Sequence, residues 1–223
     1  MKLASVAQAL FIVVASVAVY SFVRAAQADQ RFNSCQAWCQ LRPNYAGRDR
    51  SAPDFALKNM NGEVRRLSDL LGQGPVVLNF WTKTCQPCLE EMPELADMAR
   101  VLKSQGVTVV TVCTDDGPEA VRDTLDVVLQ GQDPPFEVLF DPDGERVVEK
   151  KFGTSLFPET WLIDREGIIR ARIDGNPGQR DMPWTSSIPF EVLESLDKPM
   201  SCPVDFRRGV PSGPYANLCG EGY

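Results

Sequence analysis

The chain has 223 residues, 43% of them apolar, with 30 acidic against 23 basic side chains and a formal net charge of −7. That is enough apolar material for a folded core and too much for a disordered polymer. The acidic balance, with no basic run, argues against a nucleic-acid or anionic-lipid partner, since both need a basic face. The sequence contains no histidine, which excludes Ser-His-Asp and Cys-His catalysis, imidazole-bound zinc and His-ligated haem or copper. Seven cysteines without a zinc-like pattern point away from a reducing cytosol.

Lys2 precedes an uncharged apolar run over residues 3–23 that ends at Arg24. At about 21 residues the run is long enough to span a bilayer. The segment Ala26-Gln27-Ala28 also offers a small-x-small cleavage site, so residues 1–28 read as a signal peptide or a membrane anchor. The flanking charges, Lys2 and Arg24, are too balanced to fix orientation. With the cysteines oxidised, either reading places the remainder outside the cytoplasm, secreted after cleavage near Ala28 or anchored in the inner membrane through residues 3–23. Residues 29–51 are polar, carry Cys35 and Cys39, and read as a tether.

From residue 52 the patterning sharpens. Asn61-Gly62 is a hairpin turn between Phe55-Ala56-Leu57 and Val64-Arg65-Arg66-Leu67. Ser68 reads as the N-cap of a short helix stopped by Gly72. Val76-Val77-Leu78-Asn79-Phe80-Trp81 has the continuous apolar character of a strand buried on both faces. A helix follows with Cys88, Met92, Leu95, Ala99 and Leu102 at spacings of three and four, interrupted by Pro93. Residues 107–113 read as a second buried strand, and Gly117-Pro118-Glu119 opens a further helix. A third strand spans 136–140, followed by a turn and a short helix ending at Gly153. Strands at 160–163 and 168–173 flank the loop Asp164-Arg165-Glu166-Gly167, and 188–196 reads as a closing helix. This order implies an α/β domain over residues 52–198, with a central mixed sheet flanked by helices and preceded by a hairpin. Residues 199–223 read as an extension carrying Cys202 and Cys219.

The chemistry centres on Cys85-Gln86-Pro87-Cys88, placed where the first buried strand gives way to the kinked helix. A cysteine at a helix N-terminus faces unsatisfied N–H groups and the positive end of the macrodipole, which favour a thiolate. Cys88 lies one turn on, close enough to form a small disulfide ring and release a bound partner. Pro87 in the first turn costs no hydrogen bond. Cys85 is therefore expected to be the exposed nucleophile and Cys88 the buried resolving thiol. No metal and no cofactor beyond a redox-active Cys85–Cys88 disulfide is expected.

Several separated segments resemble the thioredoxin superfamily, within it the periplasmic TlpA/ResA-like reductases. They are Ala52-Pro53-Asp54-Phe55, Leu78-Asn79-Phe80-Trp81 with the CxxC, Pro93, and Phe157-Pro158-Glu159-Thr160-Trp161-Leu162-Ile163-Asp164. The resemblance implies a thioredoxin-like fold and a thiol–disulfide oxidoreductase. Its substrates would be exported protein disulfides or apocytochrome thiols, with a membrane thiol–disulfide donor returning electrons. It implies that Pro158 is a cis-proline facing the dithiol, after Phe157, and that Trp81 shields the site's edge. Gln86 and Pro87 would tune the potential. Asp116 would lie near an active-site carboxylate of such reductases. Asn79 stands where cytosolic thioredoxins carry a buried Asp, which leaves the proton acceptor open.

Cys113 ends a buried strand and reads as a small core residue. Cys35, Cys39, Cys202 and Cys219 allow three pairings. They read as structural disulfides fastening the tails, with pairing of Cys35/Cys39 to Cys202/Cys219 preferred; a second redox centre at Cys35-x3-Cys39 is the alternative. Thr82-x-x-Cys85 satisfies part of a peroxiredoxin pattern, so a thiol peroxidase is a competing function, although Leu78 stands where that pattern wants proline. A copper-delivery or non-catalytic module on the same fold is the third, and it lacks the histidine such modules use.

Overall fold

The computed structural model describes residues 3–40, 51–180, 183–185, 193 and 196. The first element is one continuous helix, α1 (Leu3–Gln40). Its stretch Val6–Asp29 has a mean hydropathy of 2.2 and is long and apolar enough to cross a membrane. Phe11, Tyr20 and Phe22 on it are exposed to their surroundings. The tether expected from residue 29 is instead helical as far as Gln40. Residues 24–40 contain neither Gly nor Pro, so nothing stops the helix before Pro43 approaches. Cys35, near its end, is fully buried and held in a disulfide.

Seven strands form one sheet in the order β2-β1-β5-β4-β3-β6-β7. The hairpin β1 (Ala56–Asn59) and β2 (Val64–Arg66) joins the sheet by antiparallel pairing of β1 to β5 (Glu137–Phe140). Strands β3 (Val76–Trp81) and β4 (Thr108–Cys113) are parallel, as are β4 and β5. On the other side β6 (Glu159–Ile163) runs antiparallel to β3, and β7 (Ile169–Asp174) antiparallel to β6. Every residue of β3 is buried, the amide of Asn79 included, as the apolar character of the segment predicts for a strand covered on both faces.

The sheet divides the core in two. On one face α3 (Gln86–Lys103) buries Cys88, Met92, Leu95, Ala96, Ala99 and Leu102, and α4 (Pro118–Val128) adds Val121 and Leu125. Pro93 lies inside α3. On the other face Phe55, Phe80, Phe152 and Trp161 pack edge to face under α2 (Leu67–Leu71). Gly74 makes the approach between the entry to β3 and the turn before β4 possible. With φ +155, any Cβ there would stand 1.9 Å from the Gly106 carbonyl oxygen.

Two local expectations are corrected. Helix α2 starts at Leu67, one residue before Ser68, and has no side-chain cap of its own. Ser68 is a donor there: its N–H and hydroxyl bond to the Asp54 carboxylate at 3.0 and 3.2 Å, so the cap comes from the segment before β1. The helix expected before Gly153 is a short 3-10 turn (Pro142–Gly144) followed by irregular turns. The fully buried Asp141 carboxylate organises it by accepting from the N–H groups of Val147 and Val148. Of the closing helix over 188–196, Leu193 and Leu196 are among the described residues; both are helical and buried.

Candidate active site

Cys85 is the N-cap of α3, with extended backbone (φ −86, ψ 99), and its sulfur accepts from the Cys88 N–H at 3.2 Å. Its carbonyl also accepts from Cys88 and Leu89 N–H groups. The Cys88 N–H is one of those a helix leaves without a regular partner in its first turn, so the Cys85 sulfur sits where a negative charge is stabilised. Cys85 and Cys88 are joined in a disulfide with a Cα–Cα distance of 5.3 Å. Cys85 is half-buried and Cys88 is fully buried, which makes Cys85 the sulfur an incoming group can reach. Gln86 is exposed and Pro87 half-buried.

Trp81 is fully buried in the apolar cluster that also holds Cys88, Met92 and Cys113. It therefore packs in the core behind the dithiol instead of standing at an exposed edge. The Phe157–Pro158 peptide is cis. In the β3–β6 register Phe80 faces Glu159, which puts Pro158 level with Trp81, at the end of β3 from which the chain enters the CxxC loop. Phe157 and Cys85 pack on the same apolar cluster.

Asp116 is exposed; the carboxylate in contact with the site is that of its neighbour. Asp115 Oδ2 accepts from the Thr82 hydroxyl at 2.7 Å, the Lys83 N–H at 2.6 Å and the Cys113 thiol at 3.3 Å. Those bonds tie the segment entering Cys85 to the end of β4. Burial pushes the Cys113 thiol up to about 12, so it stays protonated. Asp115→Ala is expected to lower the unfolding free energy by about 1–3 kcal/mol, because the Lys83 N–H and Thr82 hydroxyl lose a charged acceptor. Asp115→Asn keeps one acceptor oxygen and should lose less than half as much. Urea unfolding midpoints equal to that of the parent would refute this clamp.

Two buried carboxylates escaped the sequence reading. Glu91, three residues beyond Cys88 on the same face of α3, is 1% exposed. It accepts from Asn79 Nδ2 at 2.8 Å and from the Trp184 indole N–H at 3.2 Å. Asn79 Nδ2 also reaches the Thr160 hydroxyl oxygen at 2.9 Å. Burial pushes the Glu91 carboxyl up to about 7, its two donors hold it lower than burial alone would, and Glu94's charge pushes it up again. An acid–base group poised near neutrality is thus set one turn from the buried cysteine. Glu159, directly after Pro158, is the other. It takes the Thr154 hydroxyl and the Trp161 indole N–H, with Arg172 at 3.8 Å, and burial raises its carboxyl above the ordinary range. It fixes the segment leading into Pro158.

Cys39, Cys202 and Cys219 have no described side chains, so their pairing lies outside the described residues. Only the state of Cys35, disulfide-bonded, is on view.

A mixed sheet between helices, with a CxxC at the strand-to-helix junction beside a cis-proline segment, defines a thioredoxin-like protein with a redox dithiol. A family model described as the AhpC/TSA family matches residues 49–172, and the chain belongs to that family. It is 37% identical over 124 residues to the thiol-disulfide oxidoreductase ResA of Bacillus subtilis (strain 168), covering 56% of this chain and 65% of that protein's length. Among solved structures it is similar to one assigned to a thiol:disulfide interchange protein DsbE from Chlorobium tepidum. There the TM-score is 0.55 and the identity 31%, over 66% of this chain and 96% of the other. MTB DsbF, in mixed oxidized and reduced forms, gives a TM-score of 0.51 at 26% identity, over 64% and 95% of the two chains.

Proposed function

We propose that the protein is an extracytoplasmic thiol–disulfide oxidoreductase that reduces disulfides in exported proteins. The carrying observation is the Cys85–Cys88 disulfide at the N-terminus of α3, with one sulfur reachable and the other buried. In the reduced protein the Cys85 thiolate attacks a substrate disulfide, forming a mixed disulfide and releasing one substrate thiolate. Cys88 then attacks the Cys85 sulfur and releases the second substrate thiolate. Two electrons have passed to the substrate, and Cys85–Cys88 is oxidised. The proton that Cys88 must lose goes to Glu91, the one carboxylate buried on its face of the helix among the described residues.

The substrates are cysteine pairs of exported proteins, those of apocytochromes among them, and a membrane thiol–disulfide donor returns the electrons. The site works outside the cytoplasm, either released after cleavage near Ala28 or held in the inner membrane by α1. A peroxidase role for Thr82-x-x-Cys85 is disfavoured, because the Thr82 hydroxyl is already committed to Asp115.

The test is the reduction potential of Cys85–Cys88, by glutathione titration of the detergent-solubilised chain with Cys85→Ser as control. A potential well below the ~−180 mV of disulfide isomerases, absent in the control, supports a reductase. A value near the ~−120 mV of strong oxidants would reverse the direction of transfer.

A further inference from the structure

The last strand ends at Asp174, and the family match ends at residue 172. Described residues beyond that strand return to the helix that carries the dithiol. Asn176, 7% exposed, donates from Nδ2 to the Pro87 carbonyl, inside the CxxC itself, at 3.3 Å. Its own Oδ1 is held by the Gly178 N–H at 2.8 Å. Gln179 donates to Glu90 at 3.3 Å. Trp184, with no exposed surface, gives its backbone N–H to Glu94 at 3.1 Å and its indole N–H to Glu91 at 3.2 Å. The residues met on α3 are Pro87, Glu90, Glu91 and Glu94. Their spacings of three, one and three trace one side of the first two helical turns.

We propose that the described residues after the last strand, 176–180 and Trp184, form a strap belonging to the redox site, in which Trp184 is the positioning residue that holds the Glu91 carboxylate on the Cys88 face of α3 and closes it from solvent. The inference rests on the reading of Glu91 as the acceptor of the Cys88 proton. A buried tryptophan on a surface segment usually finds a partner for its indole N–H; here that partner is a carboxylate, where the donor stabilises the charged form. Glu91 is met by Asn79 from β3, with Thr160 of β6 behind it, by the charge of Glu94 on its own helix, and by Trp184 from the strap. Remove the indole donor and the carboxylate loses one of two bonds while Glu94 still opposes its charge. Glu91 then holds its proton to higher pH, and Cys88 resolves the mixed disulfide more slowly at neutrality.

Trp184→Phe keeps an aromatic ring and deletes the donor. In the full chain, the pH midpoint of product release from a preformed mixed disulfide should rise by about half to one unit, with release at pH 7 about two- to sixfold slower. The first attack by Cys85 should be unchanged. A second measurement needs no Trp184 variant: the protein has four tryptophans, and one indole N–H resonance should titrate with the same midpoint as product release. That response should vanish in Glu91→Gln. An unshifted midpoint in a folded Trp184→Phe protein, or four indole resonances indifferent to pH, overturns the strap's role. If the parent protein exchanges no disulfide at all, the functional reading itself fails, which is a separate result.

Discussion

Replacing Cys85 with serine is expected to stop disulfide exchange, whereas replacing Cys88 is expected to leave a protein that attacks once and stays attached. The difference follows from exposure. Cys85 is half-buried at the tip of α3, and its sulfur takes the Cys88 N–H, so it is both reachable and stabilised as a thiolate. Cys88 has no exposed surface and can act only on the Cys85 sulfur, once that sulfur is bonded to a substrate. Turnover of a peptide disulfide in Cys85→Ser should fall on the order of a thousandfold or more, the size of loss seen when a nucleophile is removed. In Cys88→Ser, mass spectrometry should find the peptide joined to the protein through Cys85, in a bond released by added dithiol. A stable adduct through Cys88 in the Cys85 variant would reverse the assignment. Residual turnover by the double variant would place the chemistry elsewhere, with Cys113 the next thiol to examine.

The frame around this chemistry was legible because each piece has a local signal. Five apolar residues in a run of six, bounded by Gly74-Pro75, read as a strand covered on both faces, and Cys85 follows after three intervening residues. Met92, Leu95, Ala99 and Leu102 give the helix its buried side. Phe157-Pro158, recognisable only by resemblance, ends where β6 begins. The residues that escaped lack such signals. Glu90-Glu91 reads as a charged pair on a solvated helix face, yet one of the two falls in the stripe of Cys88, Met92 and Leu95, and that position was the available clue. Asp115 and Asp116 are equivalent in sequence; which one turns to the CxxC loop is decided by how β4 ends, at Cys113 opposite Trp81. Trp184 lies in a stretch without periodicity, and its partner is 93 residues away. Tertiary contacts of that range leave no local pattern.

The protonation of Glu91 should also be visible in stability. Burial pushes the carboxyl up to about 7 from its ordinary value of 4.5. Between those values the folded protein keeps a proton that the unfolded chain has lost, so stability falls as pH rises through this window and levels off above it. The slope is about 1.4 kcal/mol per pH unit, and the whole contribution is on the order of 3 kcal/mol. Glu91→Gln removes the titration. It also sets an amide N–H₂ against one of the donors, Asn79 or Trp184, and so gives up a hydrogen bond worth about 1 kcal/mol. The two stability curves should therefore cross: the variant is slightly weaker than the parent at pH 5 and stronger at pH 8. Catalysis should move the opposite way at pH 8, with resolution of the mixed disulfide slower by on the order of a hundredfold for want of a proton acceptor. Chemical unfolding of the oxidised chain at both pH values, beside single-turnover release, checks both halves. Parallel stability curves would mean that Glu91 is already ionised at pH 5. A pH-independent release rate shared by both proteins would remove it from the proton path.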